Sequence, residues 1–445
     1  MKKRIIRNAR IVSEGRIFEG DVLISGKRIE KIAPVISGSG EEFDANGNFL
    51  LPGIIDDQVH FREPGLVHKG NIRSESAAAV AGGVTSYIEQ PNTKPAAISM
   101  ALLEEKFAIA SAGSLANYSF NIGASNDNIG ELLKCDFSSF AGVKVFMGSS
   151  TGNMLVDDSR VLERIFSEIP ALIIAHCEDE ATIKANMEKY IRRYGRDIPP
   201  ECHPLIRSEE ACWLSSSRAV SLAEKYGARL HVYHISTGRE TSLFRNDLPL
   251  SEKKITAEAC IHHLWFSDRD YASKGNRIKW NPAIKTEEDR NLLWEALLDG
   301  RIDVIATDHA PHTIEEKALP YMQAPSGGPL VQHSLQAMMD FVRQGRITIE
   351  KVVEKMCHNP AVLFRIKDRG YIREGYYADL CLVDDSREQT VSRENILYHC
   401  GWSPFEGHTF TSSVRATWVN GHLAWNGEKV MSGQPGSRLE FFTFP

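Results

Sequence analysis

Four apolar runs in this 445-residue chain end in a side chain able to hold a metal ion. Ile54–Val59 is followed by His60 and Arg62, Ala171–Ala175 by His176 and Glu178, and Leu230–Tyr233 by His234 and Ser236. Asp303–Ala306 leads into Asp308, His309 and His312. Neutral imidazoles beside a carboxylate are a donor set that borderline cations such as Zn²⁺ accept. His60, His176, His234 and Asp308 together offer three nitrogens and one oxygen donor. Any one of these histidines alone reads more simply as a satisfied core or surface residue, but four runs ending this way are hard to ascribe to chance. Lys144 stands out for another reason: it interrupts the apolar segment GVKVFM (142–147), where an ammonium is costly to bury. Two readings stay open. It pairs with a carboxylate, or its amine, neutral through desolvation, has added CO₂ to give a carbamate whose two oxygens bridge two cations.

Residues so far apart in sequence meet only if the fold gathers the ends of their strands. The four runs belong to a set of eight, completed by Thr85–Glu89, Tyr118–Ile122, Val143–Phe146 and Lys254–Ala259. Asn92, Ser125 with Asn126, Met147–Thr151, and His262 with His263 follow these four. Helical stretches such as Ser74–Ala81, Met100–Ala112, Ser208–Lys225 and Glu287–Leu298 alternate with the runs. That pattern predicts an α/β chain with a parallel sheet closed into a (β/α)₈ barrel, whose active site lies at the carboxyl ends of the strands. The two ends of the chain read differently. Short alternating runs separated by turn signals fill residues 1 to about 50 and return at Ala378–Val383, Val414–Val419 and His422–Trp425, with Asn420-Gly421 as a hairpin signal. We expect a small composite β-domain from 1–52 plus 366–445, and a barrel over 53–365.

Composition agrees. Hydrophobic residues make up 42% and charged residues 25%, enough for a sizeable core. With 52 Lys+Arg against 58 Asp+Glu the net charge is −6, which argues against a nucleic-acid or anionic-membrane surface. The 8 Cys include no C-x-x-C pair and read as reduced thiols of a cytoplasmic protein. No apolar run approaches the ~18 residues of a membrane span, and no signal-peptide core follows the charged start.

At the strand ends the chain resembles the cyclic-amidohydrolase branch of the amidohydrolase superfamily, and within it the dihydroorotases. The segments that carry the likeness are LPGIIDDQVHFREPG (51–65), EQPNT (89–93), GVKVFMG (142–148), IIAHCEDE (173–180), LHVYHIST (230–237), TAEACIHHL (256–264), KWNPAIK (279–285), ATDHAPH (306–312) and GWSPFEG (401–407). HFREPG and TDHAPH are the most specific. The resemblance implies a zinc centre with His60, a bridging carbamylated Lys144, His176, His234 and Asp308 as ligands. It implies Arg62 and Asn92 on a substrate carboxylate with His312 assisting, and Asn281 on the ring amide. One departure matters: the family's His-x-His is Gln58-Val59-His60 here. An amide oxygen is a weaker donor than an imidazole, so we expect two zinc sites with the first weakened.

The implied reaction is the reversible closure of N-carbamoyl-L-aspartate to L-dihydroorotate in pyrimidine synthesis, with Asp308 as general acid and base. The alternatives are a hydantoinase or allantoinase, and a non-catalytic scaffold for aspartate transcarbamoylase. A homodimer is the default oligomer. His263 reads as structural with Glu258 as its partner, and Gly148–Asn153 either as a mobile loop over the site or as an ordinary connector.

Overall fold

The structure is a computed structural model describing residues 3–148 and 154–443. Most of the loop expected at Gly148–Asn153 therefore lies outside the described residues.

The eight expected runs form the parallel strands of one barrel. Ile54–Val59, Val84–Glu89 and Asn117–Phe120 make one run of neighbours. Ile122–Gly123, Val143–Phe146, Leu172–His176, Arg229–Val232, Ile255–Cys260 and Val304–Ala306 make the next. The third strand is broken at Asn121, whose side chain donates to Gln90 Oε1 and to the Tyr233 hydroxyl inside the barrel. A parallel bridge between Val59 and His309 returns the eighth strand to the first, where the His60 N–H donates to the His309 carbonyl at 2.7 Å.

The intervening helices start where the sequence offers caps. Asn71, Ser99, Ser208 and Thr286 each accept a backbone N–H from the first turn of Ile72–Ala81, Met100–Gly113, Glu209–Tyr226 and Glu287–Asp299. Glycines in left-handed conformation stop the last two, at Gly227 (φ 66°) and Gly300 (φ 91°). The strands are buried on both sides, against the barrel interior and against these helices, as parallel strands require.

Both chain ends contribute to a second, eight-stranded sheet. Its order is His422–Trp425, Ser413–Val419, Leu380–Asp384, Phe49–Pro52, Lys3–Ser13, Arg16–Ser25 and Arg28–Ala33, with Glu41–Asp44 beside Lys3–Ser13. Asn420 (φ 50°) and Gly421 (φ 73°) take the left-handed pair that a tight hairpin needs. The stretch between Asp384 and Ser413 leaves this sheet and lies against the barrel. There Tyr398 Oη meets His333 Nδ1 at 3.0 Å, and Trp402 Nε1 donates to the His312 carbonyl at 2.8 Å.

Candidate active site

A cavity of about 270 Å³ opens at the carboxyl ends of the barrel strands. All ten residues singled out from the sequence line it: Gln58, His60, Arg62, Asn92, Lys144, His176, His234, Asn281, Asp308 and His312. Arg62 (φ 72°), His234 (φ 42°) and Asp308 (φ 46°) sit just past strand ends in the left-handed region, which a non-glycine residue adopts only when its surroundings enforce it. The turn at each strand end thereby aims a side chain into the cavity instead of continuing the strand.

Partners fix the imidazole tautomers. His60 Nδ1–H donates to Asn92 Oδ1 at 2.8 Å, so Nε2 presents a lone pair to Asp308 Oδ1 at 3.1 Å. Two acceptors that close need a cation or a proton between them. His176 Nε2–H donates to Glu178 Oε2 at 2.9 Å, which turns its Nδ1 lone pair toward His234 Nε2 at 2.8 Å. Burial raises the Glu178 carboxyl, but Arg207 and His176 outweigh it and hold the group at about 2. Burial keeps His60 and His234 in the neutral form that ligates metals.

Lys144 is 1% exposed and its Nζ has no hydrogen-bond partner. The Tyr233 ring lies 3.9 Å away, and burial pushes the amine down to about 7 from its usual 10.5. No carboxylate pairs with it among the described residues, so the first of its two readings fails here. Gln58 turns its Oε1 toward Cys260 Sγ at 3.5 Å.

Arg62 is 7% exposed and, among the described residues, makes no ion pair. Its Nε donates to the Pro311 carbonyl at 3.0 Å, while Nη2 stands 3.0 Å from His312 Nε2. Burial lowers it to about 10, leaving it charged at neutral pH. His312 is itself flanked by Lys69 Nζ at 3.0 Å, and Lys69 is in turn paired with Glu316 at 3.0 Å.

Sequence reasoning missed several parts of the site. Trp280 lines the cavity, stacks on His262 with centroids 4.5 Å apart, and donates from Nε1 to the Asp308 carbonyl at 3.3 Å. Its place beside Asn281 was the available signal. Pro325, Ser326 and Gly327 also line it, with the Ser326 carbonyl 3.0 Å from His312 Nε2, and the buried Lys317 holds that loop by donating to the Pro325 and Gly327 carbonyls at 2.9 and 2.7 Å. Gly327 has φ 120°, and a Cβ there would meet the Ala310 carbonyl oxygen at 2.6 Å. The expected His263–Glu258 partnership is not formed. His263 Nε2 meets the Pro282 carbonyl at 3.2 Å, whereas Glu258 Oε1 accepts from Cys260 Sγ and from the His234 N–H.

Known proteins share both sequence and architecture with this chain. A dihydroorotase of Halobacterium salinarum is 34% identical over 432 residues, covering 96% of this chain and 97% of that one. A dihydroorotase of Staphylococcus epidermidis is 32% identical over 96% of this chain and all of its own length. Among solved structures, the L-hydantoinase (dihydropyrimidinase) of Arthrobacter aurescens superposes with a TM-score of 0.93 at 27% identity, over 99% of this chain and 100% of that one. That superposition carries the TIM-barrel fold with its β-domain. The pattern of the amidohydrolase family matches residues 49–424, spanning every strand end that points into the cavity. With that pattern, near-full-length relatives and a shared fold, the chain belongs to the amidohydrolase family.

Proposed function

We propose that this enzyme is a dihydroorotase, interconverting N-carbamoyl-L-aspartate and L-dihydroorotate in pyrimidine biosynthesis. The observation that carries the reading is Arg62, a buried guanidinium with no ion-pair partner among the described residues, beside a candidate metal centre. A planar guanidinium makes a bidentate, charge-assisted pair with a carboxylate. Dihydroorotate has such a group, and an unsubstituted hydantoin does not. Asn92 and His312 complete the clamp, and Asn281 faces the ring amide.

The donor set suits two zinc ions, which His60, Asp308, His176 and His234 would hold together with a carbamylated Lys144. Paired lone pairs at His60–Asp308 and the orphaned amine of Lys144 support the fit. Bound there, the cations would supply acidification of a water molecule and polarisation of the amide carbonyl. Asp308 would accept a proton from the attacking water in ring opening and deliver it to the departing ring nitrogen. Asn92 holds His60 in the ligating tautomer, and Glu178 does so for His176.

Gln58 in place of a histidine weakens the first ion's site. The catalytic unit is the barrel, 53–365, with 1–52 plus 366–445 as its composite β-domain. The setting is the cytoplasm, in a homodimer, with aspartate transcarbamoylase the partner to test. Metal quantification and dihydroorotate hydrolysis on one preparation decide the matter. Zinc with turnover is the expected result. Turnover of hydantoin but not dihydroorotate would make it a hydantoinase, and metal-free protein without turnover would make it a scaffold.

A further inference from the structure

Deeper in the barrel, outside the cavity lining, three side chains from three strands bring their donor atoms within 4.8 Å of one another: Asp57, His231 and Glu258. All three are fully buried, and none lines the cavity. Both Asp57 carboxylate oxygens, His231 Nε2 and Glu258 Oε2 lack a hydrogen-bond partner. We propose that they hold a structural divalent cation of the zinc class, separate from the centre in the cavity.

The tautomer argument comes first. The Thr256 hydroxyl donates to the Leu230 carbonyl at 3.3 Å, so its lone pair accepts from His231 Nδ1–H at 2.8 Å. That leaves His231 Nε2 facing the two carboxylates, and either a proton or a metal ion must occupy the space. A proton is a serious competitor, because Asp57 and Glu258 outweigh the lowering effect of burial and hold His231 at about 9.

The distances decide for the ion. Nε2 stands 3.4 Å from Asp57 Oδ2 and 3.6 Å from Glu258 Oε2. A charge-assisted N–H···O⁻ bond closes to ~2.7–2.9 Å. Donors on adjacent corners of a tetrahedron with Zn–N and Zn–O bonds of ~2.0–2.2 Å lie ~3.3–3.6 Å apart. A divalent ion in this position would take over from the proton the task of offsetting the buried carboxyls. The second Asp57 oxygen is available as a fourth donor. The other oxygen of Glu258 accepts the His234 N–H at 3.3 Å, which ties the cluster to the backbone of a cavity residue. A cation here would therefore stiffen the turn that presents His234.

Diffraction from crystals of the full chain grown with zinc, collected above and below the zinc absorption edge, tests this directly. The expected result is an anomalous peak among Asp57, His231 and Glu258, resolved from any peak in the cavity. Asp57→Leu should lower bound zinc by one equivalent, while His60→Ala leaves this equivalent in place. No peak at this position, or unchanged stoichiometry in a folded Asp57→Leu protein, overturns the proposal. If Asp57→Leu does not fold, the wild-type peak alone decides. A peak here with none in the cavity upholds this site and counts against the catalytic one.

Discussion

At the scale of single residues, the chemistry rests on charges whose surroundings contradict their ordinary behaviour. Lys144 is the clearest case. Carbamate formation needs the neutral amine as nucleophile, and burial brings its pKa to about 7. Raising the pH through that value deprotonates it: roughly 10% is neutral at pH 6 and roughly 90% at pH 8. Bicarbonate-dependent recovery of metal-stripped enzyme should therefore rise with a midpoint near 7, and a midpoint above 9 would exclude the reactive lysine. Lys144→Ala should lose metal and turnover together; a variant with full metal content would refute the bridge. Arg62→Ala removes the clamp and should cost ~2–5 kcal/mol, roughly 30- to 5,000-fold in kcat/KM for dihydroorotate. Kinetics near those of the wild type would place the carboxylate elsewhere. Gln58→His should raise occupancy of the first metal position in equilibrium dialysis. No change would mean that residue 58 does not reach the ion.

At the scale of elements, Arg62, His234 and Asp308 depend on a strand end being stopped and turned. Phe61, between His60 and Arg62, gives its N–H to Glu89 Oε1 at 3.0 Å, and Glu89 is in turn paired with Lys106 at 2.8 Å in a fully buried ion pair. Lys106→Met keeps most of the volume but leaves Glu89 without its cation. The loss should be ~3–5 kcal/mol, read from urea unfolding, because an unpaired buried carboxylate is left behind. A change below 1 kcal/mol would show that Glu89 protonates without consequence. These elements were legible to different degrees. The barrel strands and long helices announced themselves through apolar runs and caps such as Ser208 and Thr286, which are local signals. The wall at 325–327 did not. Its place is set by Lys317 donating to carbonyls, contacts between segments that leave no period or cap in the sequence. The ten cavity residues were legible because each immediately follows a strand or sits inside one, or lies in a motif of the family.

At the scale of the whole molecule, the two ends of the barrel divide the work. The carboxyl ends carry the cavity; the amino ends are where the β-domain is fastened. Asn117, at the start of the third strand, donates from Nδ2 to Asp379 Oδ2 at 3.1 Å and accepts from Asn420 Nδ2 at 2.7 Å. Arg369 pairs with the same Asp379 and donates to Asn420 Oδ1 at 2.9 Å. All four side chains are buried, so each polar atom depends on its neighbours in place of water. Asn117→Ala leaves at least one of these atoms unsatisfied, at about 1–3 kcal/mol. The damage sits on the barrel face where residues serve stability, not chemistry. Urea unfolding of this variant should shift to lower midpoint while kcat/KM of the folded fraction stays within about twofold of wild type. Arg62→Ala should show the opposite pattern, with activity lost and the midpoint little changed. If Asn117→Ala lowers kcat/KM as much as Arg62→Ala does, the β-domain is coupled to the cavity and is more than a brace for the barrel.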